Sequence, residues 1–336
     1  MKDIFEIGPI QARKGTKSTG YLHVGETTIM EVKIPVVIFH GVRDGPVLCI
    51  SAGVHAYEYS SIEAVQRVLN LIDPTKLNGT VIVVPVVNTP SFESRGPQGG
   101  WSTAFQCPID GININRVFPG NPEGTMGYQI AHVFMNEVVS KADYYIDCHG
   151  GDLNEELSPY VVAGTAGDKE KDKQTIEILA ASYDTDLVSI SNTKGGSCVA
   201  AAHMGKPSIV AEAGGFGRID ENAVRWHVEG LLNTMKRLRM IEGTPNKARA
   251  QRIRKRFSLI VRRGGICYTP PLGTRVKRGD QVAVVKDMFG NVLETIESPI
   301  DGVVSFRRNS FSINTNDNVI GITPDEDIIP PQRPYP

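Results

Sequence analysis

Strands alternating with amphipathic helices predict an α/β protein, and a change to turn-punctuated β runs after about residue 242 predicts a small all-β unit appended to it. Three observations carry this. The apolar runs at 47–53 and 81–87 are short and continuous, as in strands covered on both faces. Between them, residues 60–72 place Ile62, Val65, Val68, Leu69 and Ile72 on one helical face. Beyond residue 242 no helical periodicity is evident, and Gly- and Pro-containing turns recur.

In order along the chain, residues 27–39 are strand-like in their β-branched bias, and Arg43-Asp44-Gly45-Pro46 reads as a tight turn into the strand at 47–53. The helix at 60–72 leads to the strand at 81–87 and then a long Gly- and Pro-rich loop from Asn88 to about Pro122. Residues 126–140 are helical, 144–148 a strand, 169–183 helical, 208–211 a strand and 223–240 a long helix. This alternation implies a mostly parallel sheet flanked by helices, with functional groups at the carboxyl ends of its strands. Thr244-Pro245-Asn246 reads as a linker, followed by a basic stretch holding Arg249, Arg252, Arg254, Lys255 and Arg256. The expected division is a domain at 1–243 and a β-rich domain at 244–336, ending in the extended, poorly ordered tail IIPPQRPYP.

Composition narrows the function classes. A chain of 336 residues with 40% hydrophobic and 22% charged residues is long enough for two domains and ordinary for a soluble enzyme. A net charge of -1 makes no case for nucleic acid or an anionic membrane, and the basic stretch reads as a solvated face. Cys49, Cys107, Cys148, Cys198 and Cys267 are odd in number and far apart, which argues against a disulfide framework or a Cys-rich zinc site. The N-terminus, MKDIFEIGPIQARKG, lacks the apolar core of a signal peptide, and no stretch approaches the ~18 apolar residues that span a bilayer. A cytoplasmic location is expected.

The sharpest chemical signal is Gly53-Val54-His55-Ala56-Tyr57-Glu58, between a buried strand and a helix. Spacing of three brings His55 and Glu58 to one side of a helical turn, and imidazole nitrogen with carboxylate oxygen suits Zn²⁺. Such a pair recurs in many proteins and means little alone. Asp147-Cys148-His149-Gly150-Gly151 ends another strand, and in one parallel sheet both strand ends emerge on the same edge. His149 thus completes a His, Glu, His set with a fourth position open, the pattern of a catalytic zinc; standing alone it would read as a hydrogen-bonded loop histidine. Asp147 either supports it from behind or caps the strand.

In the long loop, DGININRVFPG sets Asn115 beside Arg116, a pair of donors able to clasp a carboxylate, although an arginine paired to a structural aspartate is a common alternative. Arg95 is a further cation in that loop. Glu212, just past the apolar strand of IVAEAGG, is either a proton-transfer group with a raised pKa or half of a buried salt bridge.

Taken together, GVHAYE, NTPSFESR, DGININRVFPG, DCHGG and EAGG, in this order across nearly the whole chain, resemble the succinylglutamate desuccinylase and aspartoacylase family, zinc hydrolases with the core fold of the zinc carboxypeptidases. NRVFPG and TMGYQIAHVF are most similar to the branch that includes the N-acetyl-diaminobutyrate deacetylases. The resemblance implies one Zn²⁺ per chain on His55, Glu58 and His149, Glu212 as the proton-transferring base, Arg95 polarising the scissile carbonyl, and Asn115 with Arg116 holding a substrate carboxylate. Two departures bear on the substrate. Ala56-Tyr57 replaces the usual small-residue context, setting a phenol to crowd the metal, and the segment 96–108 is long, with Trp101 and Phe105 as pocket-lining candidates. The C-terminal region is similar to the biotinyl or lipoyl half-barrel, yet Lys286-Asp287-Met288-Phe289-Gly290-Asn291 lacks a carrier lysine at its tip, so it reads as a non-carrier β-domain for packing, oligomerisation or restricting access.

The resulting expectation is a zinc-dependent deacylase that cleaves the amide bond of a small N-acyl amino acid or related amine, working as a homo-oligomer without nucleic-acid or membrane partners. A metallocarboxypeptidase acting on short peptides is the alternative, and a non-enzymatic binding protein with a degenerate site is a third.

Overall fold

The computed structural model describes residues 3–95, 104–185, 187–247, 252, 253, 256–308 and 311–325. Trp101, most of the basic stretch and the tail 328–336 lie outside them. A small hairpin, β1 (Ile4–Ile7) and β2 (Ile10–Arg13), precedes β3 (Thr16–Glu26), β4 (Glu31–His40) and β5 (Arg43–Ala52). Then follow α1 (Tyr59–Val68), β6 (Asn78–Val84), α2 (Thr89–Glu93), α3 (Met126–Val133), β7 (Tyr144–His149), β8 (Glu155–Gly164), α4 (Lys169–Gln174), β9 (Leu187–Ser191), α5 (Ser197–His203), β10 (Ser208–Gly215) and α6 (Glu221–Arg237). Both α3 and α4 continue as irregular helix, to Lys141 and Ser182.

Thereafter the described elements are strands: β11 (Arg252–Ile253), β12 (Phe257–Ile260), β13 (Gly265–Tyr268), β14 (Arg275–Val276), β15 (Gln281–Lys286), β16 (Val292–Glu297), β17 (Gly302–Arg308), β18 (Ser312–Ile313) and β19 (Asn318–Pro324). The change to β structure thus comes where the sequence places it.

The fold is the α/β class expected. One large mixed sheet runs β12-β19-β17-β8-β10-β7-β5-β6-β4-β3. Its centre, β10, β7, β5 and β6, is parallel, whereas β8 joins β10, and β4 joins β6, antiparallel. Two apolar layers cover it. One packs α1 and α6 against Leu48, Ile50, Val81, Val83, Ile146 and Ile209; the other packs α3 against Ile38, Cys49, Ile82, Val84 and Tyr145. Alternate residues of β5, β6 and β7 therefore serve opposite layers, and coverage on both faces explains their continuous apolar runs.

Two local expectations are corrected. Residues 27–30 form a reversal closed by Thr27 N–H donating to the Met30 carbonyl at 2.8 Å, so the strand begins at Glu31; Ile29 and Met30 sit exposed at its tip. Arg43-Asp44-Gly45-Pro46 is the irregular start of β5, slipping register against β6 between Arg43 and Val47. Finally, the C-terminal strands do not stand apart from the first sheet. β17 pairs with β8 through Phe306↔Leu157, Arg307↔Glu156 and Arg308↔Glu155, continuing the large sheet beyond β8. Arg307 Nε donates to Glu156 at 2.9 Å and Arg308 Nη2 to Glu155 at 3.1 Å across that seam.

Candidate active site

β5 ends at Ala52 and the chain turns at Gly53, whose φ of 65° is left-handed and whose Cβ, were there one, would sit 3.0 Å from Val86 Cα. Glycine is the residue such a close, positive-φ turn accepts. Val87 and Asn88 N–H donate to the Ala52 and Gly53 carbonyls, tying this turn to the end of β6. His55 and Glu58 lie in the turn itself, with Glu58 the residue preceding α1 rather than within it. Their spacing still converges: His55 Nδ1 lies 2.8 Å from Glu58 Oε1.

His149, the last residue of β7, arrives from the neighbouring parallel strand, its Nδ1 2.9 Å from Glu58 Oε2, while Gly150 N–H donates to the same oxygen at 3.0 Å. The two imidazoles stand 4.9 Å apart at 86°, and one ligand atom from each of His55, Glu58 and His149 lies within 4.8 Å of the others. All three side chains are buried. The sequence therefore brings its three expected ligands together.

The chemistry of the donor set fits a zinc ion. Each histidine spends its far nitrogen on a neighbour: His149 Nε2 lies 2.9 Å from Asp147 Oδ2, and His55 Nε2 3.2 Å from Asn113 Oδ1. That leaves both Nδ1 atoms for a cation, the arrangement in which a carboxylate fixes the tautomer of a ligating imidazole. Asp147 is held in turn by Ser51, whose hydroxyl donates to Oδ1 at 2.7 Å, and by Ser197, whose hydroxyl donates to Oδ2. Burial works to raise the Glu58 pKa, but the adjacent imidazoles of His149 and His55 outweigh it and hold the carboxyl at about 2. A carboxylate kept ionised in a buried place is what a cation site requires.

Glu212 sits on β10 in register with His149 on one side and Tyr160 on the other. Burial pushes its carboxyl up to about 8, against the pull of His149 and with the repulsion of Glu58. This favours the proton-transfer reading over the salt bridge: among the described residues no ion pair to Glu212 is found. Asp152 is raised to about 7 by burial and by Glu58, and its Oδ2 has no hydrogen-bond partner among the described residues.

The remaining expected residues fall as follows. Asn115 Oδ1 accepts from Ser197 N–H at 2.9 Å at the start of α5, and Arg116 Nη1 donates to the Asn115 carbonyl at 2.7 Å, its side chain exposed. Asp110 serves structure, its Oδ2 accepting from Thr125 Oγ1 and Gly127 N–H to cap α3. Arg95, with a φ of 57°, is exposed after α2 in a groove with Tyr59, Glu63, Phe92 and Ile219; no contact among the described residues links it to the ligand cluster. Tyr57 does not crowd the metal position. Its hydroxyl turns to Ser94 Oγ at 2.7 Å and the Ser91 carbonyl at 3.3 Å, and it is buried under α2. Phe105 packs edge-on against His55 with ring centroids 4.8 Å apart.

Sequence reasoning missed Asn113, Ser51, Ser197 and Asp152 as parts of the site. Asp152 had a signal, a carboxylate directly after the glycines that follow His149. Ser51 had a weaker one, a hydroxyl inside an apolar strand. Ser197 had none, because only the fold brings residue 197 to residue 147.

The succinylglutamate desuccinylase/aspartoacylase catalytic-domain model matches residues 44–238, over half the chain. N-alpha-acetyl-L-2,4-diaminobutyric acid deacetylase of Halomonas elongata is 28% identical over 304 residues, covering 86% of this chain and 84% of that one. Among solved structures, a succinylglutamate desuccinylase/aspartoacylase from Rhodobacter sphaeroides superposes with a TM-score of 0.81 at 24% identity, covering 93% and 96% of the two chains. The product-bound ectoine utilization protein EutE (DoeB) from Ruegeria pomeroyi superposes at 0.80 and 22% identity, covering 92% and 95%.

Proposed function

Because the chain belongs to the succinylglutamate desuccinylase/aspartoacylase family, we propose that it is a zinc-dependent amidohydrolase that removes the acyl group from a small N-acylated amino acid or related amine. One observation carries the reading: two imidazole Nδ1 atoms converge on the two oxygens of one buried carboxylate, each histidine having its other nitrogen engaged elsewhere. The deacetylase relative supports the substrate class.

His55, Glu58 and His149 would hold the zinc. When bound, zinc supplies Lewis acidity and can lower the pKa of water to about 7. Glu212 accepts the proton of the attacking water and later delivers one to the leaving amine; its raised pKa matches a group that must do both near neutral pH. Asn115 and Arg116 hold a substrate carboxylate. Arg95 polarises the scissile carbonyl, a role that requires its guanidinium to turn inward from the groove beside α2. In this reading residues 1–243 form the catalytic unit, and residues 244–336 form a β-rich unit that narrows access to small substrates. The enzyme works in the cytoplasm as a homo-oligomer. No helix among the described residues is long and apolar enough to cross a membrane.

The test is a turnover screen of N-acetyl and N-succinyl amino acids against short peptides, with zinc and with chelator. Chelator-sensitive hydrolysis of N-acyl amino acids is expected, and Glu212→Gln lowers kcat by ~10²–10⁴-fold while retaining zinc. Release of residues from peptides alone would overturn the substrate class, and unchanged turnover in Glu212→Gln would remove its role.

A further inference from the structure

We propose that Arg256, from the C-terminal β region, is a substrate-anchoring residue that binds a second carboxylate of the substrate, distinct from the one held by Asn115 and Arg116, on the far side of Glu212 from the metal ligands. The proposal rests on the amidohydrolase reading above for the reaction, and on the following geometry for the site.

A row of residues crosses the sheet at its functional edge. His149 on β7 is in register with Glu212 on β10, and Glu212 with Tyr160 on β8. Directly paired residues project to the same face of a sheet. The β8–β10 register slips between Tyr160 and Leu157, at Ser158-Pro159, and a bulge of this kind re-aims a side chain beside a site. Tyr160 thereby meets Arg256, whose Cζ lies 5.4 Å from its ring centroid and 4.9 Å from that of Phe306 on β17. The stem of Arg256 passes over Gly321 of β19, where a Cβ would lie 2.5 Å from Arg256 Cδ and 2.9 Å from Nε. A glycine clears its path and two rings hold the guanidinium.

The charges around this seam set Arg256 apart. Arg307 and Arg308 are spent on Glu156 and Glu155. Among the described residues Arg256 has no carboxylate partner; its contacts are the two rings and Gly321. It is half-buried, and its charge reaches the site, opposing the effect of burial on the Glu212, Glu155 and Tyr160 pKa values. With no hydrogen bond or ion pair to its guanidinium among the described residues, the planar N–H fork can take a carboxylate through two parallel bonds. Since Glu212 hands its proton to the leaving amine, a carboxylate held beyond Glu212 belongs to the amine half of the substrate.

The test compares wild type, Arg256→Gln and Arg256→Lys on an N-acetyl amino acid that carries a second, side-chain carboxylate and on the same compound with that side-chain carboxylate capped as the primary amide. Arg256→Gln is expected to raise KM for the carboxylate ~10–100-fold with kcat within ~3-fold, and to leave the amide unaffected. Arg256→Lys recovers part of the loss. Equal losses on both compounds, or none, would overturn the proposal. A binding arm does not depend on turnover: the zinc-loaded wild type binds glutarate at least ~10-fold more tightly than Arg256→Gln by calorimetry. Equal glutarate affinity removes the anchor even if the deacylase reading stands, whereas a wild type without turnover on N-acyl amino acids fails that reading alone. Should Arg256→Gln not fold, Gly321→Ala displaces the side chain with its charge kept and is expected to give the same pattern of KM changes.

Discussion

Replacing Asp147 by asparagine isolates the charge behind His149 from the geometry around it. Asp147 is fully buried; its Oδ2 meets His149 Nε2 at 2.9 Å and accepts from Ser197, while its Oδ1 accepts from Ser51 at 2.7 Å. In the variant the amide oxygen can keep the His149 and Ser197 side. The amide nitrogen then faces Ser51, whose hydroxyl can turn to Tyr145 OH, already 2.9 Å away. The bond to His149 persists and the full charge behind it is lost. A charge-assisted hydrogen bond contributes ~1.5–3 kcal/mol against ~0.5–1.5 kcal/mol for a neutral one, so the loss is about 1–2 kcal/mol. That converts to a ~5–30-fold weaker zinc affinity, within the range found when partners behind metal ligands are removed. Competition against a chelator of known affinity reads the Kd, and thermal unfolding of the metal-free chain checks the fold. A Kd within ~2-fold of wild type, on a fold equally stable, would refute the claim that Asp147 tunes the ligand electrostatically. Asp147→Ala differs in kind, since it strands the buried donors of His149 and Ser197 at ~1–3 kcal/mol each and lowers stability outright.

Two further outcomes follow from the same geometry. Glu212 has its folded pKa raised to about 8 from the usual carboxyl value, so its contribution to stability is present below the unfolded pKa and is lost as pH rises toward 8. Metal-free Glu212→Gln therefore loses less Tm than metal-free wild type between about pH 5 and 9, and parallel Tm profiles would contradict the buried, protonated state. Gly53→Ala places a side chain at φ 65° against Val86 and costs about 1–2 kcal/mol from the backbone alone, with weaker zinc binding because His55 follows in the same turn; equal denaturation midpoints would argue against a strained turn.

The sequence by itself carried the α/β class, because burial on both faces writes continuous apolar runs into β5, β6 and β7 and a one-sided stripe into α1. It also carried the convergence of His55, Glu58 and His149, because His55 and Glu58 are joined by a single turn, and the rule that parallel strand ends share an edge brings His149 to them. It misplaced Tyr57, since a residue between two ligands can point away from both, and only packing under α2 decided that the phenol meets Ser94. What depended wholly on tertiary structure were the pairings between distant segments: Ser197 on Asp147, Asn113 on His55, and the β17–β8 seam that brings Phe306 and Tyr160 to Arg256. Local periodicity records which face of an element is buried. It holds no information on which distant chain covers that face, so the His55, Glu58 and His149 cluster was legible along the chain and the shell that supports it was not.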